Sequence, residues 1–395
     1  MKFVPAFTSL IVIVFLLAFI VLPKSSFSEI ENRSLASFPK LNWDDIKDGD
    51  YMSDVSTYLS DHFPLKNTFV NSKTQFEQHV LKMDCINNIY IGKDGYRIEQ
   101  YEKPENTGKI INTINKFNEA VKNINVDLML VPTAYTIYDD KLPYHHKDIS
   151  QLETLNNIYS SVSTSNIDVY PSLMLHRDNE QLFYKLDHHW TTDGAYYAYV
   201  KYCEHKGFTP VPKEDFNIQE VTNDFKGTIY SKLNDYSLEG DVIKVYGYNN
   251  DLTVNYDNKK TTNSLYNMDY VDKKDKYSLF LDNLHSYIEI TNNNIDTDRE
   301  LVIAKDSYAN SFIPFLVNHY KKIYVFDPRS YKGAISDFVN EHNNVKDVLM
   351  LYNMNTIDQD TGINAIINKD RGKNSCSYCF KNIFCKKIKI FLDIW

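Results

Sequence analysis

Residues 300–352 read ELVIAKDSYANSFIPFLVNHYKKIYVFDPRSYKGAISDFVNEHNNVKDVLMLY, and their alternation decides the fold. Glu300 to Ala304, Lys322 to Phe326 and Val345 to Tyr352 are compact apolar runs of strand length, and Tyr308 to Tyr320 and Tyr331 to Asn340 between them have helical spacing. Strands joined through helices need crossover connections, so they lie parallel in a sheet covered on both faces. Earlier in the chain the same order recurs. Ile86 to Ile91 reads as a strand that turns at Lys93-Asp94-Gly95, Gly108 to Asn123 as a helix, Val126 to Pro132 as a buried strand, Leu152 to Ser163 as a helix and Ile167 to Val169 as a strand. Between the two halves, Phe208 to Asn294 is rich in Asn, Asp, Lys and Tyr. Its short alternating runs, Asp241 to Tyr246 and Leu252 to Tyr256, predict a β-rich insertion.

The N-terminus sets the compartment. Phe3 to Pro23 is almost wholly apolar, broken by Thr8 and Ser9 and flanked by Lys2 and Lys24. A run of about 20 apolar residues covers the hydrocarbon core of a bilayer, whereas the apolar part of a cleavable signal peptide is about 7–15 residues. An uncleaved single-pass anchor is therefore expected, with the domain outside the cell. Cleavage after the small residues Ser26 and Ser28 would make the protein secreted. The expected organisation is an anchor or signal segment (1–24), a stalk (25–50), the first part of the α/β domain (51–207), the β-rich insertion (208–297), the second part of the domain (298–365) and a basic Cys-containing tail (366–395). Within Tyr51 to His79 the helix should break at Asp61-His62-Phe63-Pro64, because proline disfavours helix at the residue before it.

Composition narrows the partners. With 395 residues, 43% hydrophobic and 24% charged, the chain can bury a large core, and a net charge of −9 argues against a phosphate-backbone binder, so nucleic acid is not an expected partner. The 14% aromatic content, with 30 Tyr, could supply stacking surfaces for sugars, although core packing accounts for it equally. Cys85, Cys203, Cys376, Cys379 and Cys385 do not form a disulfide scaffold, and Cys376-x-x-Cys379 has no second ligand pair at zinc-finger spacing. The tail from Lys369 carries seven Lys or Arg against two Asp, which suits a membrane or partner contact, or simply an extension.

The densest chemical cluster is Leu186-Asp187-His188-His189-Trp190-Thr191-Thr192-Asp193-Gly194, leading into a helix over Ala195 to Cys203 that Thr191 or Thr192 would cap. In an extended stretch, side chains two apart share a face, so Asp187 and His189 can meet while His188 points away. Asp187 would then hold the His189 tautomer whose Nε2 accepts a proton from a nucleophile. Two other readings use the same residues: a purely structural hydrogen bond, and a metal site built from Asp187, His188 and His189, which no His-Glu-x-x-His pattern supports. The nucleophile candidate is Ser307, placed where a strand ends and a helix begins. Carboxyl ends of parallel strands are where open sheets place their sites, and the amides of a helix start can stabilise an oxyanion. Helix capping explains a serine there as readily, and Gly-x-Ser-x-Gly is absent.

Asp187-x-His189-Trp190-Thr191 and Lys305-Asp306-Ser307-Tyr308 resemble the DHHW protein family, whose relatives are the SGNH-hydrolase-like alginate O-acetylation proteins. The resemblance extends to Glu31-Asn32-Arg33, Asp61-His62-Phe63-Pro64, Phe225-Lys226-Gly227-Thr228 and Phe326-Asp327-Pro328-Arg329. It implies an α/β, SGNH-hydrolase-like parallel sheet flanked by helices, and a triad of Asp187, His189 and Ser307 in a permuted order. Tyr308, Asn310 and Arg329 are the nearest candidates for oxyanion or substrate contacts. The implied activity is serine-dependent transfer of an acetyl group to an extracellular polysaccharide, with a membrane-bound acyl-donor protein as a partner and no cofactor or metal. Hydrolysis of glycan acetyl esters, or glycan binding without catalysis, are the alternatives.

Overall fold

A computed structural model describes residues 3–31, 33–102, 104–121, 123–359, 363, 366 and 367. The Cys-containing tail, with Cys376, Cys379 and Cys385, lies outside the described residues. The protein is a mixed α/β structure around one eight-stranded sheet, ordered Lys260–Thr262, Leu252–Tyr256, Tyr287–Asn292, Lys322–Phe326, Glu300–Lys305, Val345–Asn353, Asn125–Val131, Ser165–Asn166. The last five run parallel to one another, and the first three add an antiparallel edge.

The parallel strands are apolar without alternation because helices shield both of their faces. Every residue of Glu300–Lys305 is buried, as are all but Lys346 of Val345–Asn353. The chain leaves Glu300–Lys305 toward one edge of the sheet and Asn125–Val131 toward the other. Only Val345–Asn353 lies between these two strands, and the crevice at their carboxyl ends is where open sheets of this kind bind ligands.

Of the stretch read as a β-rich insertion, Leu252–Tyr256, Lys260–Thr262 and Tyr287–Asn292 extend this sheet, while Asn217–Phe225 and Asp241–Gly247 pair separately as an antiparallel ribbon. Cys85–Ile86 and Ile89–Ile91 form a hairpin rather than one strand. Asn87 and Asn88 both adopt positive φ, which asparagine tolerates better than most residues and which a tight hairpin turn requires. The helix after Glu300–Lys305 spans Ala309–Leu316, stops short of Tyr320 and carries Pro314 inside it. The chain breaks between helices Asp50–Asp61 and Lys66–His79 at the proline turn. Phe3–Val21 is one apolar helix with none of its hydrophobic window buried.

Candidate active site

The turn that follows strand Glu300–Lys305 is held by a buried carboxylate. Asp306 Oδ1 accepts from the Tyr308 amide at 2.9 Å, and Oδ2 accepts from the Asn353 amide at 2.7 Å and its side-chain nitrogen at 2.8 Å. The neighbouring strand thereby clamps the turn. Burial pushes the Asp306 carboxyl up, against these hydrogen bonds and the nearby cations. Ser307 stands between these enclosed residues and is itself only half-buried.

His189 comes from a loop 118 positions earlier. Its Nε2 lies 2.7 Å from Ser307 Oγ, and its Nδ1 lies 2.5 Å from Asp187 Oδ1. A carboxylate only accepts, so Nδ1 carries the proton and Nε2 is free to accept from the serine hydroxyl. Asp187 and His189 are brought together by a bend and not by strand alternation. Asp187 Oδ1 also accepts from the His189 amide at 3.0 Å, closing a side-chain turn, and a bridge between Phe183 and Trp190 pins the loop's ends.

Thr228 holds the other carboxylate oxygen through its amide at 2.8 Å and hydroxyl at 3.1 Å. Gly227 passes so close that a Cβ there would fall 2.1 Å from Asp187 Oδ2. Against the expectation that it would face away, His188 stays beside the pair, its Nδ1 2.6 Å from Thr228 Oγ1 and 3.8 Å from Asp187 Oδ1 and its ring 3.9 Å from that of His189, because the bend does not alternate side chains as a strand would.

The electrostatics follow from enclosure. Burial pushes His189 down from 6.5 to about 4, reinforced by His188 and opposed by Asp187. For Asp187, burial pulls upward, but the two imidazoles and the Thr228 amide hold the carboxyl far below its usual range. The ligand atoms of Asp187, His188 and His189 lie within 4.8 Å of one another, close enough for a cation. A metal would have to displace the hydrogen bonds from His189 and Thr228 that the carboxylate already accepts.

Tyr308, Asn310 and Arg329 take different positions. The Tyr308 amide is spent on Asp306, its hydroxyl on the His188 carbonyl, and its own carbonyl accepts from Trp190 Nε1 at 2.9 Å. Arg329 grips Asp327 through two nitrogens, at 2.8 and 2.5 Å, and its charge reaches His189 and Lys305. Asn310 Oδ1 accepts from the buried Lys305 ammonium at 2.7 Å, while its carboxamide nitrogen has no partner among the described residues. The Ser307 amide likewise makes no hydrogen bond among the described residues.

A residue that no sequence signal singled out completes the site. The Tyr277 ring stacks on the His189 imidazole at 3.8 Å and 9°, and its hydroxyl donates to the Ser307 carbonyl at 3.1 Å.

The family model for the DHHW protein matches residues 84–326, which is more than half the chain and includes Asp187, His189 and Ser307. The chain is a member of the DHHW family. A solved DHHW family protein from Eubacterium siraeum is 26% identical, with a TM-score of 0.63 over 71% of this chain and 96% of that one. Two structures of Bacillus cereus PatB1, one with a sulfonyl adduct, are 19% and 20% identical. They cover 69% and 68% of this DHHW chain and 95% of PatB1, with TM-scores of 0.56 and 0.57, and share its fold. No curated protein matches it.

Proposed function

We propose that this DHHW protein is a serine acyltransferase of SGNH-hydrolase-like fold that carries acetyl groups to an extracellular polysaccharide, with Ser307 as nucleophile. The observation that carries this reading is the unbroken relay from Asp187 through His189 to the Ser307 hydroxyl, at 2.5 and 2.7 Å. Ser307 Oγ attacks the acyl carbon of an acetyl ester as its proton passes to His189 Nε2. The tetrahedral oxyanion forms, the donor's alkoxide leaves with that proton, and an acetyl-serine remains. A sugar hydroxyl then surrenders its proton to His189 and attacks the acetyl carbon, and the second tetrahedral intermediate breaks its bond to Ser307 Oγ, which takes that proton back from His189. Asp187 remains ionised throughout and stabilises the imidazolium.

Two donors on the Ser307 turn that have no partner among the described residues, the Ser307 amide and the Asn310 carboxamide nitrogen, are assigned here to the oxyanion. Lys305 aims the second of them: an ammonium cannot accept a hydrogen bond, so it fixes the Asn310 oxygen toward itself and the nitrogen away.

The apolar helix Phe3–Val21 supports a retained membrane anchor with the domain on the outer side, where the polysaccharide lies. Transfer in place of hydrolysis rests on membership of the family and on that placement.

The PatB1 sulfonyl adduct suggests a sulfonyl fluoride as the probe. The full-length protein should be labelled at Ser307, as read by mass spectrometry of its peptides, and should move acetyl from p-nitrophenyl acetate to a soluble glycan. Ser307→Ala should abolish both. Undiminished acetyl turnover by that variant would remove the serine mechanism.

A further inference from the structure

The helix Lys66–His79 is amphipathic the wrong way round for a soluble protein. Phe69 and Phe76 fall within about 20° of one another on the helical wheel, Leu65 and Val80 flank the helix at its two caps, and Leu65, Phe69, Phe76 and Val80 are 64%, 49%, 52% and 62% exposed. The opposite side is polar and docked. Thr74 Oγ1 donates to the Leu233 carbonyl at 2.7 Å, Gln75 Nε2 to Asp235 at 2.6 Å, Asn71 Oδ1 accepts from the Tyr236 amide at 3.1 Å, and the Asn67 carbonyl accepts from Asn234 at 3.0 Å. A helix packed on a domain in water turns its apolar stripe inward. Here hydrogen bonds hold the polar stripe on the domain and leave the apolar one facing out.

What covers that stripe follows from its neighbour. The Phe63 ring stacks on Phe15 of the apolar N-terminal helix at 5.4 Å, and Phe69 meets the same ring at 5.9 Å. Phe15 lies six residues before the end of that helix at Val21, a depth of about 9 Å at ~1.5 Å per residue. Interfacial helices bury their apolar faces about 5–10 Å into the boundary between head groups and acyl chains. Phe38, Leu41 and Trp43, which are also exposed, precede this helix in the segment that leads out of the span.

We infer that the Leu65-Phe69-Phe76-Val80 face is a second membrane contact, seated in the acyl chains of the leaflet the N-terminal helix enters, and that it fixes the catalytic domain against that surface. The inference rests on the reading of Phe3–Val21 as a retained span and is independent of the serine chemistry. It also assigns the Glu31, Arg33, Asp61 and Lys66 ion cluster a place: these charges tie the segment leaving the span to the turn that opens the helix.

The test uses the full chain in vesicles of phosphatidylethanolamine and phosphatidylglycerol. A benzophenone amino acid replaces Phe69, Phe76 or, as the control, the still more exposed Leu175 on another helix. Vesicle flotation reports the anchor, and mass spectrometry after irradiation reports what each position touches. Lipid adducts at 69 and 76 with none at 175 are expected. Flotation without lipid adducts at 69 and 76 overturns the docking face alone, as do adducts there only to a second copy of the chain or to another protein. Loss of flotation overturns anchor and face together. Neither position belongs to the catalytic machinery, so labelling of Ser307 by the sulfonyl fluoride reports the enzymatic reading separately.

Discussion

Lys305 is 1% exposed, and burial pushes its ammonium down to about 8, yet the hydrogen bond it makes is to an uncharged amide. A buried cation so placed is costly, and orienting Asn310 is a use that repays it. Asn310→Asp keeps an acceptor for Lys305 but removes the donor. We expect this variant to fold with an unchanged Tm and to lose about 10²–10³ in kcat, the usual effect of removing one oxyanion donor. Lys305→Met should lower kcat with little change in KM, and combining it with Asn310→Ala should be no worse than Asn310→Ala alone. Additive losses would mean that Lys305 acts separately.

At His189 the sign of the pH effect is set by enclosure. The group is neutral above about 4, so kcat/KM should rise with pH through a limb near 4 and not near 6.5. Stability moves in the same sense. The unfolded chain takes up the proton first, so this histidine's contribution is fully present above 6.5 and is lost as pH falls toward 4. A pH profile of glycan acetylation and urea unfolding at two pH values check the two statements.

The turn between Phe225 and the Thr228–Leu233 helix supplies both the Thr228 amide and the space beside Asp187. Gly227→Ala would drive a methyl group into a carboxylate that has nowhere to retreat. Displacing it should cost about 1–3 kcal/mol, read as a lower Tm, and kcat should fall because His189 loses its orienting partner. Strands buried on both faces were legible because apolar residues fill most of their positions without alternating. Turns were less so: Asn87-Asn88 lies inside an apolar run, and only its backbone conformation separates a hairpin from a strand. The meeting of Asp187, His189 and Ser307 was legible because an acid, an imidazole and a hydroxyl stand in motifs that frame them. Tyr277 was not, since ring stacking between segments far apart in sequence leaves no local pattern.

The sheet separates its two ends by task. Ser307 follows the carboxyl end of a parallel strand, while Lys206 joins Asp127 at 2.8 Å and Asp347 at 2.6 Å near the amino ends, with Arg299 3.2 Å from Asp347. Lys206→Met would leave two buried carboxylates short of a cation, at a cost of about 3 kcal/mol. Chemical unfolding should register that loss, and kcat for acetyl transfer should not change at a temperature where the variant is folded.

Asp306 draws its closest hydrogen bond from Asn353, the final residue of the last strand among the described residues. A chain made only as far as residue 352 therefore has the Ser307 turn without this clamp. On the proposed serine chemistry, the order of synthesis leaves the nucleophile unready until its neighbouring strand is complete.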